Sequence, residues 1–130
     1  MVKYVYPAIF TPEERGFSID FPDIESCYTC GDDLIDGIEM AEDILASRLY
    51  DMESAGEAIP APSAFGTLGL KDGEFTTLVH CDTIVYRKRK NGKAVKKTLS
   101  IPQWMDEMAT EKGINFSKVL QDALASQLLV

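Results

Sequence analysis

A strongly basic segment near the middle of the chain divides it into two unlike parts. Arg87–Lys97 holds seven basic residues and no acidic one among eleven. Residues 1–86 carry four basic and seventeen acidic residues, a net charge of −13, whereas residues 87–130 carry nine and four, a net charge of +5. Such a shift in composition is typical of a domain boundary. We therefore predict an N-terminal domain over 1–86, a basic linker over 87–94 and a C-terminal domain over 95–130.

Composition places the whole chain among ordinary globular proteins. Of its 130 residues, 45% are hydrophobic and 26% are charged. No apolar run approaches the roughly 20 residues of a membrane span, and Met1–Pro7 lacks the apolar core of a signal peptide. Three cysteines in such a chain indicate reduced thiols rather than disulfides. We predict a cytoplasmic protein.

The N-terminal domain is predicted to be a small sheet crossed by one helix. Val2–Pro12 and Gly16–Phe21 are rich in aromatic and β-branched residues, and the Pro- and Gly-containing loop between them favours an antiparallel hairpin. A third short strand is predicted over Ser26–Thr29 and another strand over Phe75–Tyr86. The order is β-β-(β)-α-β, an α+β fold.

One long helix follows the first strands. Asp32 and Asp33 suit its N-terminus, because Asp is a favoured N-cap and acidic groups complement the helix dipole. Gly56 and the prolines after it end the helix. Apolar residues at intervals of three and four predict one buried stripe: Leu34, Ile38, Ala41, Leu45, Leu49 and Met52.

The C-terminal domain is predicted to be a dimer. Val95–Ile101 alternates like a strand, and two helical patterns divided by Lys112–Gly113 follow it. Segments near 40 residues rarely bury enough surface to fold alone, and a lone strand needs a partner for its backbone groups. Two copies would form a two-stranded ribbon above four helices. The predicted dimer core contains Leu99, Ile101, Trp104 and Leu120.

The other face of this strand suits DNA. Lys96, Thr98 and Ser100 alternate with the apolar residues and present one ammonium and two hydroxyl groups, on a ribbon that fits a major groove. Asn115 begins the second helix, and the free amides at a helix N-terminus can hold a phosphate.

A different pairing remains open for the basic segment. Asn91–Gly92 is typical of a two-residue hairpin turn, so Ile84–Lys90 and Lys93–Ile101 could pair within one chain and extend the first sheet. The basic run could also serve only solubility.

The C-terminal half resembles a ribbon-helix-helix DNA-binding domain. The resemblance lies in Lys96–Pro102, a first helix, Gly113 and then Asn115–Ser117, which opens a second helix. It implies that Lys96, Thr98 and Ser100 read bases, and that the amides of Asn115, Phe116 and Ser117 contact a phosphate.

The N-terminal half is similar to the HicB antitoxin family. The similarity lies in five segments: Tyr6–Phe10, Gly16–Ile24, Cys27–Asp32, the helix exit Pro60–Ser63 and the ending Gly113–Gln121. It implies a partial RNase H-like N-terminal domain that binds and blocks HicA, a small mRNA-cleaving toxin. It also implies operon repression through the C-terminal domain of a homodimer, with higher oligomers open.

The charge division agrees with these two partners. A toxin that grips RNA displays positive surface, and an acidic domain can dock there with electrostatically steered association. The basic half independently suits DNA. No individual toxin contact follows from the sequence.

An RNase H-like fold also raises a nuclease hypothesis. Two metal ions would need carboxylates, and the chain offers Asp20, Asp23, Glu25, Asp32, Asp33 and Asp36. Helix capping, turns and a solvated helix face explain most of them, and HicB-type domains are understood to lack the catalytic set. We predict that the protein is not an enzyme.

A zinc site has weaker support. Cys27 and Cys30 have the spacing of half a site, and His80 with Cys81 could complete four ligands. However, adjacent strand residues point to opposite faces, and buried apolar cysteines are more common. We predict no metal and no cofactor.

The main functional alternative is a free-standing DNA-binding regulator whose N-terminal domain acts as a sensor or oligomerisation module. A small basic open reading frame beside the gene would favour the antitoxin.

Overall fold

The computed structural model describes residues 3–64, 66 and 68–129. The chain forms two compact units, residues 1–93 and 94–130. The first unit holds four strands and two helices among the described residues, and the second unit holds two helices. No helix in these described ranges is long and apolar enough to cross a membrane.

The first unit contains an antiparallel sheet with the strand order β3-β2-β1-β4. Its strands are β1 Lys3–Pro12, β2 Phe17–Asp20, β3 Tyr28–Gly31 and β4 Phe75–Asp82. The predicted β1-β2 hairpin is confirmed, with Ile9 opposite Asp20 and Pro12 opposite Phe17. Val2, the first residue of the predicted strand, lies outside the described residues.

The third strand begins two residues later than predicted. Ser26 has a φ of 57°, in the left-handed region, and the Phe21 amide donates to the carbonyl of Cys27 at 3.0 Å. The backbone conformation of Ser26 therefore belongs to the turn into β3 and excludes Ser26 from the strand.

Helix α1 covers Leu34–Ser54, as its caps predict. The Asp33 side chain accepts from the Asp36 amide at 2.8 Å, and the Asp36 side chain accepts from the Asp32 amide at the same distance. This reciprocal arrangement satisfies two amides that the helix itself leaves open. At the other end Gly56 has a φ of 70°, which ends the helix without steric cost.

The core lies between α1 and one face of the sheet. Alternate residues Tyr6, Ala8 and Phe10 of β1 are buried against the helix. Ala41, Leu45, Leu49 and Met52 of the predicted stripe are buried too, but Leu34 and Ile38 remain exposed. Near them Gly37 brings the helix backbone against the sheet: a Cβ there would lie 3.2 Å from the Phe10 ring.

The predicted strand over Phe75–Tyr86 is wrong beyond Asp82. Helix α2 covers Thr83–Lys90 instead. The Asp82 side chain caps it by accepting from the amides of Ile84 at 2.8 Å and Val85 at 3.3 Å. Part of the predicted basic linker is therefore helical. The alternative hairpin is also wrong, because residues 84–90 form a helix rather than a strand.

The basic residues of α2 belong to the first compact unit, so the net charge of each part differs from the sequence prediction. The first compact unit holds nine basic and seventeen acidic residues, and the second unit holds four of each. The positive excess assigned to the C-terminal half therefore belongs mainly to α2 and Lys93. The second unit is neutral overall, and its basic character is confined to local surfaces.

The second unit consists of α3, Gln103–Glu111, and α4, Phe116–Leu128. Gly113 has a φ of 67°, and the Ile114 amide donates to the Ala109 carbonyl at 3.0 Å, so the predicted break between the helices is confirmed. Residues 92–102 form no regular secondary structure in the single chain. A ribbon over 95–101 needs a second strand and stays a prediction.

Candidate functional site

The residues predicted to read bases are accessible in the second unit. Lys96, Thr98 and Ser100 are all exposed. Their alternation with Leu99 and Ile101 places the two sets on opposite faces wherever this segment is extended. The side chains needed for a DNA-reading face make no hydrogen bond or ion pair with the residues that the structure describes.

The predicted dimer core is not covered within one chain. Leu99 is 57% exposed, Ile101 45% and Trp104 60%, whereas Leu120 is half-buried. No residue of the second unit is buried among those that the structure describes. Short segments with this much exposed apolar surface rarely fold alone, and the dimer that would cover this surface stays a prediction.

The N-terminus of α4 has the geometry of an anion site. The Asn115 side chain caps the helix by accepting from the Lys118 amide at 3.0 Å. The amides of Asn115, Phe116 and Ser117 come earlier and have no acceptor within the helix. Lys118 pairs with Asp122 one turn later at 3.1 Å. The three predicted phosphate-binding amides are consequently available at the positive end of the helix dipole.

A groove lies in the first unit between α1, the end of β4 and α2. Its volume is about 440 Å³. Its floor is apolar and is formed by Ala46, Cys81, Val85 and Tyr86. Its other lining residues are His80, Arg89 and four carboxylates: Glu39, Glu42, Asp43 and Asp82. We call it the α1-α2 groove. The sequence does not predict this groove, because the groove depends on α2, where local propensity predicts a strand and a linker.

The basic residues of α2 pack on aromatic rings of the first unit. Tyr50 of α1 and Tyr86 of α2 have ring centroids 5.4 Å apart. The Arg87 guanidinium lies 5.1 Å from the Tyr50 centroid, and the Lys90 ammonium lies 5.2 Å from it. Arg89 lies 5.5 Å from the Tyr86 centroid. The contacts of Arg87 and Lys90 with Tyr50 hold the basic segment against α1, whereas the contact of Arg89 with Tyr86 lies within α2.

Three of the six carboxylates of the nuclease hypothesis, those of Asp23, Asp33 and Asp36, accept structural hydrogen bonds. Asp23 accepts from the Ser63 amide at 2.8 Å and from the Ser63 hydroxyl, which fixes the loop after α1. Asp33 and Asp36 cap α1 as described. Burial raises the pKa of Asp20, which therefore holds its proton more readily than an ordinary aspartate. Among the described residues no three His, Cys, Asp or Glu side chains form a group that could hold a metal ion.

The cysteines differ in accessibility. Cys27 and Cys81 are buried, whereas Cys30 is exposed. Burial raises the pKa of Cys27 to about 11 and that of Cys81 to about 12. The two buried thiols therefore stay protonated and unreactive near neutral pH.

Comparison with known proteins assigns the chain to a family. A sequence model of the HicB_like antitoxin of bacterial toxin-antitoxin systems matches residues 6–124. The chain belongs to this family. No significant match to this HicB-like antitoxin occurs among curated protein sequences.

Solved structures also resemble this HicB-like antitoxin. A chain of a toxin-antitoxin complex from Streptococcus pneumoniae is 27% identical with a TM-score of 0.64, and the match covers 96% of this chain and 99% of that one. A chain of a HicA3 and HicB3 toxin-antitoxin complex is 25% identical with a TM-score of 0.51, covering 61% and 99%. Antitoxin HicB from Burkholderia pseudomallei, 19% identical with a TM-score of 0.51 over 98% and 99%, supports the fold alone.

These matches confirm the family similarity and the mixed α+β fold of the HicB-like antitoxin. The partial RNase H-like character of the first unit and the ribbon-helix-helix character of the second stay predictions. The contact residues for each partner are likewise predictions.

Proposed function

We propose that this HicB-like antitoxin binds and neutralises a HicA-type mRNA-cleaving toxin in the bacterial cytoplasm and represses its own operon. The observation that carries this proposal is the family match over residues 6–124. Two structural neighbours that are toxin-antitoxin complexes support it at 27% and 25% identity. Neutralisation is assigned to the first unit and repression to the second.

The carboxylates of the first unit support its role in toxin binding. Seventeen acidic residues lie in this unit, and four basic residues of α2 are concentrated on one short helix. Positive surface on an RNA-cleaving toxin would be attracted to the acidic remainder, and occupation of that surface would exclude RNA. This is a binding function, and we assign no catalytic step to the antitoxin.

The apolar surface of the second unit supports a homodimer. Two copies of residues 95–101 could form an antiparallel ribbon, with Leu99 and Ile101 facing α3 and α4 of both chains. The ribbon would place Lys96, Thr98 and Ser100 in the major groove, and the amides of Asn115, Phe116 and Ser117 would hold the DNA backbone. The two functions would then use separate surfaces.

Co-expression tests the antitoxin proposal directly. The small protein encoded beside this gene should arrest growth when produced alone. Growth should recover, and the two proteins should co-purify, when this chain is produced with it. A neighbouring protein that is harmless, or that never co-purifies, would contradict neutralisation and favour the free-standing regulator.

Thr98→Ala tests the DNA-reading face. Loss of one base contact should weaken operator binding by about 1 to 3 kcal/mol, or roughly 5- to 150-fold. Fluorescence anisotropy with operator DNA at fixed salt measures this change. Toxin affinity should stay within twofold, and Thr110→Ala in α3 provides the control. Equal losses for both partners would refute the separation of the two surfaces.

A further inference from the structure

We infer that the α1-α2 groove receives a lysine- or arginine-bearing segment of the toxin. This inference rests on the proposed function and deepens it by naming where in the first unit the partner docks. It assigns the contact to a surface that α2 creates.

The floor of the groove suits the aliphatic part of a long side chain. Ala46 and Cys81 of this floor are largely buried. Val85, which precedes Tyr86 in the chain, is 60% exposed. Burial of an exposed valine under another apolar group stabilises a complex. The methylene stems of lysine and arginine supply such groups while their charged ends reach the edge.

The edge of the groove suits the charged end of the same side chain. Glu39, Glu42, Asp43 and Asp82 contribute four carboxylates against the single guanidinium of Arg89. Asp82 caps α2 and Asp43 binds Arg89, but Glu39 and Glu42 have no hydrogen bond or ion pair within the described chain. The groove therefore keeps a net negative charge with two unpaired carboxylates.

Arg89 shows that a guanidinium fits this edge. Its Nη2 atom lies 2.5 Å from Asp43 Oδ1, and its guanidinium also lies over the Tyr86 ring. An arginine of a partner could make the same kind of hydrogen bond with the neighbouring carboxylates of Glu39 and Glu42. Such charge-assisted hydrogen bonds are among the stronger polar contacts at an interface.

Charge decides between the possible occupants. Nucleic acid would be repelled by the four carboxylates. The first unit of a second copy carries seventeen acidic against nine basic residues, so its net charge opposes docking in an acidic groove. An RNA-cleaving toxin must present cations to its own substrate, so its surface is complementary to this one.

A pair of charge reversals tests this assignment. Glu39→Lys with Glu42→Lys should weaken binding of the HicA-type protein encoded beside this gene by at least tenfold at 100 mM salt. Glu14→Lys with Asp72→Lys makes the same charge change in two loops of the first unit, and it should weaken binding less than threefold. Titration calorimetry with each purified protein measures both. Equal losses would show a general charge effect and overturn the groove.

Thiol labelling gives a second, local measurement. Val85→Cys lies in the groove, and Leu78→Cys lies on the sheet face away from α1 with a similar exposure of 54%. Saturating toxin should slow alkylation of Val85→Cys at least tenfold and leave Leu78→Cys within threefold. Peptide mass spectrometry separates both sites from Cys30, and the high pKa values of the buried thiols keep them silent.

The outcomes separate the two proposals. If the wild-type chain does not bind the toxin, the proposed function fails. If it binds but Val85→Cys stays fully reactive in the complex, or Leu78→Cys becomes protected instead, the function stands and the groove is wrong.

Discussion

Leu99→Asp is expected to convert the dimer to a monomer and to abolish operator binding. Leu99 is exposed in one chain, and the proposed ribbon buries it in the shared core. A carboxylate there would lose its hydration without gaining a partner. Because two-fold symmetry places both copies in the same core, we expect a loss of at least about 4 kcal/mol, which is roughly a thousandfold in the dimer Kd.

Thr98→Asp is the matched control, because it introduces the same charge one residue away on the opposite strand face. It should leave the dimer intact and still prevent DNA binding, since the carboxylate would face the phosphates of the groove. Light scattering measures the dimer, and anisotropy measures operator binding. A stable Leu99→Asp dimer would refute the ribbon, whereas dissociation of both variants would place Thr98 in the core as well.

The sequence predicts most of the first unit because its signals are local. Asp33 and Gly56 mark the ends of α1, and alternating aromatic residues mark β1 and β2. Each of these features acts within a few residues of the chain, through capping, turn geometry or strand alternation. The structure confirms them with shifts of one or two residues.

Helix α2 could not be predicted in the same way. Thr83, Ile84 and Val85 are β-branched and favour a strand, so local propensity indicates the wrong structure. The deciding contacts are the cap by Asp82 and the packing of Tyr86 on Tyr50, thirty-six residues away. The position of Asp82 before the run was the one available signal, and it is weak because aspartate is also common in turns.

The same helix limits what could be predicted of the candidate sites. The proposed DNA-reading residues depend on strand alternation and helix caps, which are properties of sequence spacing. The groove depends on two elements that are distant in sequence, α1 and α2, and on how Arg89 reaches Asp43 across that distance. Sequence therefore indicates an acidic unit without indicating where a partner docks on it.

The placement of α2 also changes how charge is divided. Residues 87–93 bring five cations onto a unit that is otherwise strongly acidic. Three of them, Arg87, Arg89 and Lys90, lie over tyrosine rings. Under the proposed function, the DNA affinity of the second unit would then come from placed contacts, namely the ribbon face and the α4 amides, rather than from net charge.

Gly31→Ala is expected to destabilise the first unit strongly and to impair toxin neutralisation at raised temperature. Gly31 ends β3 where α1 crosses the sheet, and an added Cβ would overlap the Cα and N atoms of Gly37 and lie 3.1 Å from the Asp36 carbonyl carbon. These are backbone atoms of α1, so no side chain can rotate away. Overpacking of this kind costs about 3 kcal/mol, which for a unit of this size lowers the Tm by roughly 12 °C or more.

Gly69→Ala is the control, because a Cβ there meets no atom within 4 Å and the Tm should stay within about 2 °C. The two units can be followed separately, since all five tyrosines lie in residues 1–93 and the only tryptophan, Trp104, lies in the second unit. Gly31→Ala should shift the tyrosine circular dichroism transition and leave the Trp104 emission of the dimer unchanged. Above the lowered Tm, toxin rescue should fail while operator binding persists, the reverse of Leu99→Asp. Loss of both activities in Gly31→Ala would mean that the second unit depends on the first, and an unchanged Tm would refute the close contact between β3 and α1.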